Sequence, residues 1–431
     1  MTKTTTLTKK RLFHLWLPLA LMWLVMAVEQ PAITAIISRL PNPTIELAAF
    51  GYAFALALLI EGPIVQMLSA GTAITKDIVS YRRLLFILHL LALLITSVHL
   101  IFCIPSVYTW FSLEIMGLPK EMITPSYRSF VAMIPWAAAV GYRRLWQGVM
   151  IRYGKTKAVP VIMYLRLFVA ASVLITGLLI NTIPGGLLGG ISLSVGVIVG
   201  MIAAGVYVRP IIKEMPKEDL STPSMPISEM VRFYFPLALT SLITLGVRPL
   251  LNFGIARGLY PLASLAIWPV ALAYIFIYTS ISMSMQEIVI AEQKNEQTLL
   301  VITAFIKRVG LVLFLLYMVI LISQAWKLWF INLSGLPADL LEFLPLTLTV
   351  LCLMPIFYSF ISFFRGLLVL AHKTRTITIG VSINVFLMLI MINVLTQGIG
   401  LPGVYAASIA FASSYGVETL FLMTQTKTLR K

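Results

Sequence analysis

Twelve apolar runs, each long enough to cross a bilayer, constrain this chain more than anything else in it. They lie at approximately 12–38, 45–75, 83–107, 126–150, 158–180, 187–209, 232–256, 263–290, 302–330, 342–370, 376–398 and 403–424. A membrane helix needs about 20 mainly apolar residues, because about 30 Å of hydrocarbon is crossed at about 1.5 Å per residue. A transmembrane β-strand needs only about 10 residues of alternating pattern, whereas these runs are long and continuous. Composition agrees: 59% of the 431 residues are hydrophobic and 11% charged, against about 45–50% and about 25% in soluble proteins. A water-soluble enzyme, a disordered chain and a secreted disulfide scaffold are thereby excluded. Cys103 and Cys352 both sit in apolar runs, so no disulfide or metal framework is implied. The expected fold class is an all-α polytopic membrane protein. Lys9, Lys10 and Arg11 precede the first run as in a signal peptide. That run continues for about 25 residues without a small-residue cleavage site, so it reads as a retained span.

The net charge of +16 would suggest nucleic acid in a soluble protein. Here it reports topology. Of the Lys and Arg residues, 22 fall in the N-terminal tail, the loops after even-numbered spans and the C-terminal tail. The opposite loops hold only Arg39, Lys120, Arg128, Arg257 and Lys327. By the positive-inside rule both termini are expected to be cytoplasmic. The expected location is the plasma membrane, the inner membrane in a bacterium. Lipids are the expected surroundings, with no nucleic-acid partner and a monomeric chain.

The longest polar linker, 209–231, follows the sixth span and is Pro-rich and charged, as a connection between halves should be. The expected organisation is an N-terminal six-helix bundle over 1–208, the linker, and a C-terminal bundle over 232–431. Sliding the chain on itself by 218 residues supports the division. Pro18-Leu19-Ala20-Leu21 meets Pro236-Leu237-Ala238-Leu239, Pro31 meets Pro249, and Gly117-Leu118-Pro119 meets Gly335-Leu336-Pro337. Lys155-Thr156-Lys157 meets Lys373-Thr374-Arg375, and Pro184-Gly185 meets Pro402-Gly403. Six spans per half make the repeats parallel, with an expected pseudo-two-fold axis along the membrane normal. Two such bundles can rock about a cleft and alternate its access.

The Gly-Leu-Pro motif followed by an acidic residue and an aromatic-bearing helix occurs twice, as GLPKEMITPSYRSFVAMIP and GLPADLLEFLPLTLTVLCLMP. It resembles the MATE-like exporter (MOP) superfamily. Within that superfamily, Glu29-Gln30, LAAFGYAFALALLIEGP at 47–63 and FPLALTSLITLGVRPLLNFGIARGL at 235–259 are most similar to the progressive ankylosis (Ank) family. GLPGVYAASIAFASSYGVETLFL at 400–422 fits as well. The resemblance implies the MATE-like fold, and animal Ank members imply export of pyrophosphate, nucleotides or citrate. The acidic C-terminal tail of those members is missing here, so no role of that tail carries over.

A charge at mid-bilayer costs about 2.5–3.5 kcal/mol and needs a partner, water or a purpose. The spans hold Arg143, Arg144, Arg166, Arg248 and Arg365, with Glu29, Glu61, Glu287 and Glu418. Arg365, Glu287 and Glu418 lie near span ends, where snorkelling or an interfacial pair is the expected use. Arg143 and Arg144 diverge by about 100° on one helix, so only one of them is expected to face a cleft. The other is expected to meet a carboxylate or a lipid phosphate. Arg144 and Arg166 are candidate anion-binding groups.

Glu29 and Arg248 stand deep in the first span of each half, and each precedes a proline that frees a backbone carbonyl. Under the 218 offset Arg248 meets Gln30. Arg248, Gln30 and Asn252, one turn after Arg248, are candidate substrate ligands, and Glu29 is the candidate for coupling to H⁺ or Na⁺. A plain salt bridge between Glu29 and Arg248 is the competing reading, although such bridges rarely add net stability. Glu61-Gly62-Pro63 breaks the second span where the second half has Thr279-Ser280-Ile281. That makes Glu61 a second coupling candidate, or merely a solvated carboxylate at a bend. His14, His89, His99 and His372 show no metal spacing, and the Met283 and Met285 run reads as packing. Trp16, Trp110, Trp326 and Trp329 suit an aromatic belt. Gly185, Gly186, Gly189 and Gly190 suit close helix approach.

Enzymatic chemistry finds no support: all three aspartates (Asp77, Asp219, Asp339) lie in loops and no His-Glu-x-x-His motif occurs. No cofactor is called for. A channel would show filter rings, and non-identical halves favour a carrier. Planar guanidinium groups suit phosphate or carboxylate, so the expected cargo is a small multivalent anion. Organic-cation antiport and flipping of a pyrophosphate-linked lipid are the alternatives.

Overall fold

The computed structural model describes residues 9–155, 157–217, 224–371 and 373–427; Thr156, His372 and linker residues 218–223 lie outside them. The described residues are helical throughout, with one isolated bridge between Leu259 and Pro402. Among the described residues, ten helices are long and apolar enough to cross a membrane. The other two spans read from the sequence, the first and the fourth, are each split. The first runs as Lys9–Ala27 and Glu29–Ile37, the fourth as Ile123–Ala132 and Trp136–Arg152. Pro31 and Pro135 stand at or just after these splits, where a missing N–H ends the ladder.

The third and ninth spans begin earlier than their apolar runs, at Ile78 and Glu296. Each starts at a capping box: Asp77 accepts from Ser80 N, and Asn295 from Thr298 N, with the hydroxyl of each partner reaching back. The lipid-facing sides are plain in the fifth and ninth spans. Phe168 and Leu179 are exposed, as are Val312, Leu316, Val319 and Ile322 at helical spacing.

The 218-residue repeat is structural as well as sequential. Leu118 N bonds Ser112 O, and Leu336 N bonds Phe330 O at the equivalent turn. Gly117 and Gly335 both take the left-handed conformation there, which a side chain resists. A Cβ on Gly148 would lie 2.5 Å from Leu68 O, and one on Gly366 3.2 Å from Gln286 O, so the same helix crossing recurs with glycine at its contact. Gly185, Gly186 and Gly190 likewise admit Ile37 and Ser129 at distances that no side chain would allow.

The chain forms two compact units, and they do not coincide with the sequence halves. Unit 1 comprises residues up to Ala35 with Gly254 onward; unit 2 comprises Ile36–Phe253. Ala35 and Phe253 are equivalent under the offset, so both halves exchange the same length of first span. The bundle boundaries expected at 208 and 232 therefore miss this exchange. In each unit a side chain of the exchanged span bonds at a break in a neighbouring span. In unit 2, Pro63 lacks an N–H, and Gly62 N bonds the Leu59 carbonyl instead. The Tyr234 hydroxyl then donates to Pro63 O at 2.6 Å, and Gln66 Nε2 donates to Ser241 Oγ at 2.9 Å. In unit 1 the eighth span breaks at Ser284 without any proline, contrary to the expectation that the break is peculiar to the first half. Trp16, the equivalent of Tyr234, donates its indole N–H to Ser284 Oγ at 2.8 Å. Leu12, Trp16 and Ala20 sit in one apolar core with Met285, Ile288, Phe305 and Phe364. Trp16 and Trp326 are thus buried rather than in an aromatic belt, while Trp110 is exposed.

The linker is tied to unit 2. Ser224 Oγ donates to both oxygens of Asp77, at 2.9 and 2.7 Å, and Arg83 donates to the Ser224 and Met225 carbonyls. Burial of Asp77 opposes its charge. The bonds from Ser80 and Ser224 and the nearby Lys76 outweigh it and hold the carboxyl below its ordinary value. A lowered carboxyl stabilises the fold above the unfolded value, and this contribution is lost as pH falls through the folded one. Thermal melts of wild type and Asp77→Asn should therefore differ at neutral pH and converge on acidification; a gap that widens in acid would contradict the assignment.

Candidate functional site

Each unit holds one buried polar centre, built from equivalent spans but from different residues. In unit 2 the second span delivers Glu61 as the last residue of helix Pro43–Glu61, where Pro63 ends the ladder. The fourth span delivers Arg143, Arg144 and Gln147 from Trp136–Arg152, and the fifth delivers Arg166 from Ala158–Ile180. The sixth offers Gly200, whose missing side chain makes room: a Cβ there would lie 3.2 Å from Arg143 Cδ and 3.4 Å from Arg166 Cβ. Glu61 is 4% exposed and Gln147 2%. All three arginines act on Glu61 electrostatically, Arg144 most strongly. Glu61 Oε2 and Gln147 Nε2 are buried and make no hydrogen bond among the described residues.

One expectation changes here. Glu61 is no solvated carboxylate at a bend, because it is 4% exposed and lies within the electrostatic reach of three guanidinium groups. Arg144 acts on this acid most strongly, as expected of the one of the pair that meets a carboxylate, and Arg143 acts on it as well. Their stems leave the helix in different directions, but a side chain of this length can turn back.

In unit 1 the acid comes from the last span. Glu418 is 1% exposed, forms an ion pair with Arg365 Nη2 through Oε1 and accepts from Asn384 Nδ2 through Oε2 at 2.8 Å. Tyr358 and Tyr415 stack on each other, their ring centres 5.0 Å apart. Of the two uses expected for these residues, snorkelling or an interfacial pair, Arg365 and Glu418 take the pair, with the acid buried and the guanidinium partly exposed. Under the 218 offset Arg365 corresponds to Gln147, Asn384 to Arg166, Glu418 to Gly200 and Thr279 to Glu61. Thr279 is buried and folds back on its own helix, donating to Ile275 O at 3.2 Å. Gln147, Asn384 and Gly200 went unnoticed in the sequence. The offset itself could have found them, since it sets an acid opposite a glycine.

The remaining sequence candidates fall elsewhere. Glu29 and Gln30 are half-buried at the start of Glu29–Ile37 in unit 1, where the Gln30 carbonyl accepts from Thr34 Oγ1. Arg248 and Asn252 lie in unit 2 on Ile227–Ile255. Arg248 is exposed, its guanidinium 5.6 Å from the Phe54 ring centre, and Asn252 is buried. No cluster of His, Cys, Asp and Glu suited to a metal occurs among the described residues. His99 packs on Phe130, with ring centres 4.0 Å apart.

Solved structures share this arrangement of spans. An inward-facing multidrug resistance MATE family transporter of the MOP superfamily superposes with a TM-score of 0.74, covering 95% of this chain and 99% of that one at 13% identity. The chain has the MATE transporter fold. A MOP superfamily transporter from Pyrococcus furiosus, described as having a binding pocket of reverse polarity, matches at a TM-score of 0.64 and 14% identity, covering 98% and 97%. The lipid II flippase MurJ in an inward closed conformation matches at 0.70 and 13%, covering 95% and 87%. No family model and no curated protein matches the sequence. This MATE-fold chain thus shares its architecture with transporters and its side chains with none of them closely.

Proposed function

We propose that this chain is a secondary active transporter of the plasma membrane, working by alternating access, whose cargo is a small multivalent anion. Pyrophosphate, nucleotides and citrate-like carboxylates are the class. The observation that supports this reading is the buried centre of unit 2, where three guanidinium groups act on a single carboxylate. Guanidinium is the side chain best shaped for bidentate phosphate and carboxylate contacts. Arg248, Asn252 and Gln30, outside that centre, are the further proposed substrate contacts, with Glu29 and Glu61 as the coupling carboxylates for H⁺ or Na⁺. Membership of the Ank branch is part of the proposal and rests on the sequence motifs alone. The similarity to MurJ keeps a second reading in view, in which the same guanidinium groups receive the pyrophosphate of a lipid.

The test is a proteoliposome uptake panel of citrate, pyrophosphate, ATP and a cationic dye. Anion uptake is expected, and Arg248→Ala should reduce it at least tenfold while sparing dye efflux, because a lost guanidinium–anion contact costs about 1.5–3 kcal/mol. Dye transport with no anion uptake would overturn the anion reading in favour of cation antiport. Normal anion uptake by Arg248→Ala would remove Arg248 from the site.

A further inference from the structure

At the turn that joins the ninth and tenth spans, unit 1 lacks a bridge that unit 2 possesses. In unit 2 the Tyr127 hydroxyl donates to Cys103 O at 2.8 Å, tying the fourth span to the end of the third. The Tyr127 ring also meets Tyr108 edge-on, with ring centres 5.3 Å apart. Under the 218 offset Tyr127, Cys103 and Tyr108 correspond to Pro345, Leu321 and Trp326. Pro345 has no hydroxyl and no side chain long enough to reach across. A surface cavity of about 680 Å³ lies here, and Pro345, Leu321 and Trp326 all line it. Its size falls within the range of about 300–1,000 Å³ usual for small-molecule sites.

Two kinds of wall meet in this cavity. Ile322 ends the exposed apolar stripe of the ninth span, is 74% exposed and also lines the cavity, so the lipid-facing surface runs into it. The other wall carries opposite charges, Lys327 and Glu342, both exposed. Among the described residues they form no ion pair, with each other or with any other group. Gln324 holds the lysine in place: its Oε1 accepts from Lys327 Nζ at 2.6 Å. Gln324 itself takes a φ of 57°, uncommon for a residue with a side chain, whereas the equivalent Ser106 of unit 2 is helical. The lysine Nζ also stands 5.8 Å from the Trp326 ring centre. An ammonium carries three donors, so the bond to Gln324 leaves others for a ligand.

We infer that this cavity is a seat for one phospholipid with a zwitterionic headgroup, of the phosphatidylethanolamine class. The phosphate accepts from Lys327, the ammonium donates to Glu342, and an acyl chain lies along Ile322 and the apolar stripe that ends there. Charge complementarity selects this occupant. A purely anionic headgroup would bring like charge to Glu342, and a soluble anion would in addition leave the apolar wall uncovered. Location agrees, because the turn lies where the ninth and tenth spans, Glu296–Ile322 and Ala338–Leu370, leave the bilayer. The bound headgroup joins the tenth span to the end of the ninth, as Tyr127 joins the fourth to the third. The seat uses no residue of the two buried polar centres, so it stands whatever the cargo.

Lipid binding to the delipidated full chain in detergent micelles tests the seat, with phosphatidylethanolamine, phosphatidylcholine and phosphatidylglycerol of equal acyl length as probes. Wild type should bind phosphatidylethanolamine about tenfold more tightly than phosphatidylglycerol, which lacks the ammonium. Phosphatidylcholine, whose ammonium carries no proton, should fall between them. Lys327→Met should lose about tenfold in affinity for phosphatidylethanolamine, as expected for a hydrogen bond to a charged group. Glu342→Gln should erase the preference for phosphatidylethanolamine over phosphatidylglycerol. Both side chains are exposed, so without lipid both variants should melt with wild type. Pro345→Tyr rebuilds the bridge of unit 2 and fills the cavity, so it should lose headgroup selectivity while melting no lower than wild type. Should Pro345→Tyr unfold early, the two exposed variants decide alone. Equal binding of the three lipids by wild type, tighter binding of phosphatidylglycerol, or a preference that survives Glu342→Gln overturns the seat. So does undiminished phosphatidylethanolamine affinity in Lys327→Met.

Discussion

Replacing Glu418 by alanine should destabilise the folded chain by about 3 kcal/mol, the lower end of the range for breaking a buried ion pair. Glu418 is 1% exposed and is shared between the Arg365 guanidinium and the Asn384 amide. Its removal strands one charge and one amide donor in an apolar interior. The lower end applies because the Arg365 side chain is 29% exposed, so the guanidinium left behind is not fully buried. Deleting both partners together, as Arg365→Leu with Glu418→Leu, should recover most of the loss, since a buried pair adds little net stability over apolar residues of similar size. Reversible unfolding in detergent micelles, read as a double-mutant cycle, measures this coupling. A loss under about 1 kcal/mol in the single variant would mean that the pair does not hold the last span in place.

Glu61→Leu should have the larger effect. There the acid answers to three guanidinium groups rather than one, and its loss leaves three like charges beside one another. The expected cost is about 3–5 kcal/mol, and Arg144→Leu in the same chain should restore part of it, because Arg144 acts most strongly on Glu61. Pyrophosphate should raise the melting temperature of Glu61→Gln more than that of wild type, since the ligand then replaces the negative charge that the substitution removes. Unfolding in micelles with and without pyrophosphate decides this. Equal stability of Glu61→Leu and wild type would show that the arginines are compensated from elsewhere.

Much of this was legible before any coordinates. Hydropathy alone marks the spans, because a bilayer admits only segments that satisfy their own backbone. The offset of 218 marks the repeat, because each half must build the same turns, with glycine at 117 and 335 where the backbone is left-handed. The arginines and glutamates in the spans stand out by their cost. What stayed hidden was pairing. Glu61 and Arg166 are more than a hundred residues apart, and hydropathy carries no record of which helix faces lie together. The break at Ser284 was also hidden, because no proline marks it; the Trp16 indole, from a distant part of the chain, bonds the Ser284 hydroxyl there.

The sequence by itself determined an all-α membrane chain of two parallel halves, with charges in its interior that demand a use. Tertiary structure alone decided that each half gives up its first span at the same residue, and that one unit closes its polar centre with Glu418. It also decided that the other unit gathers three arginines about Glu61 and packs the stems of two of them against Gly200. The physical reason is that burial and backbone self-sufficiency are local and additive along a chain, whereas charge compensation depends on which helices meet.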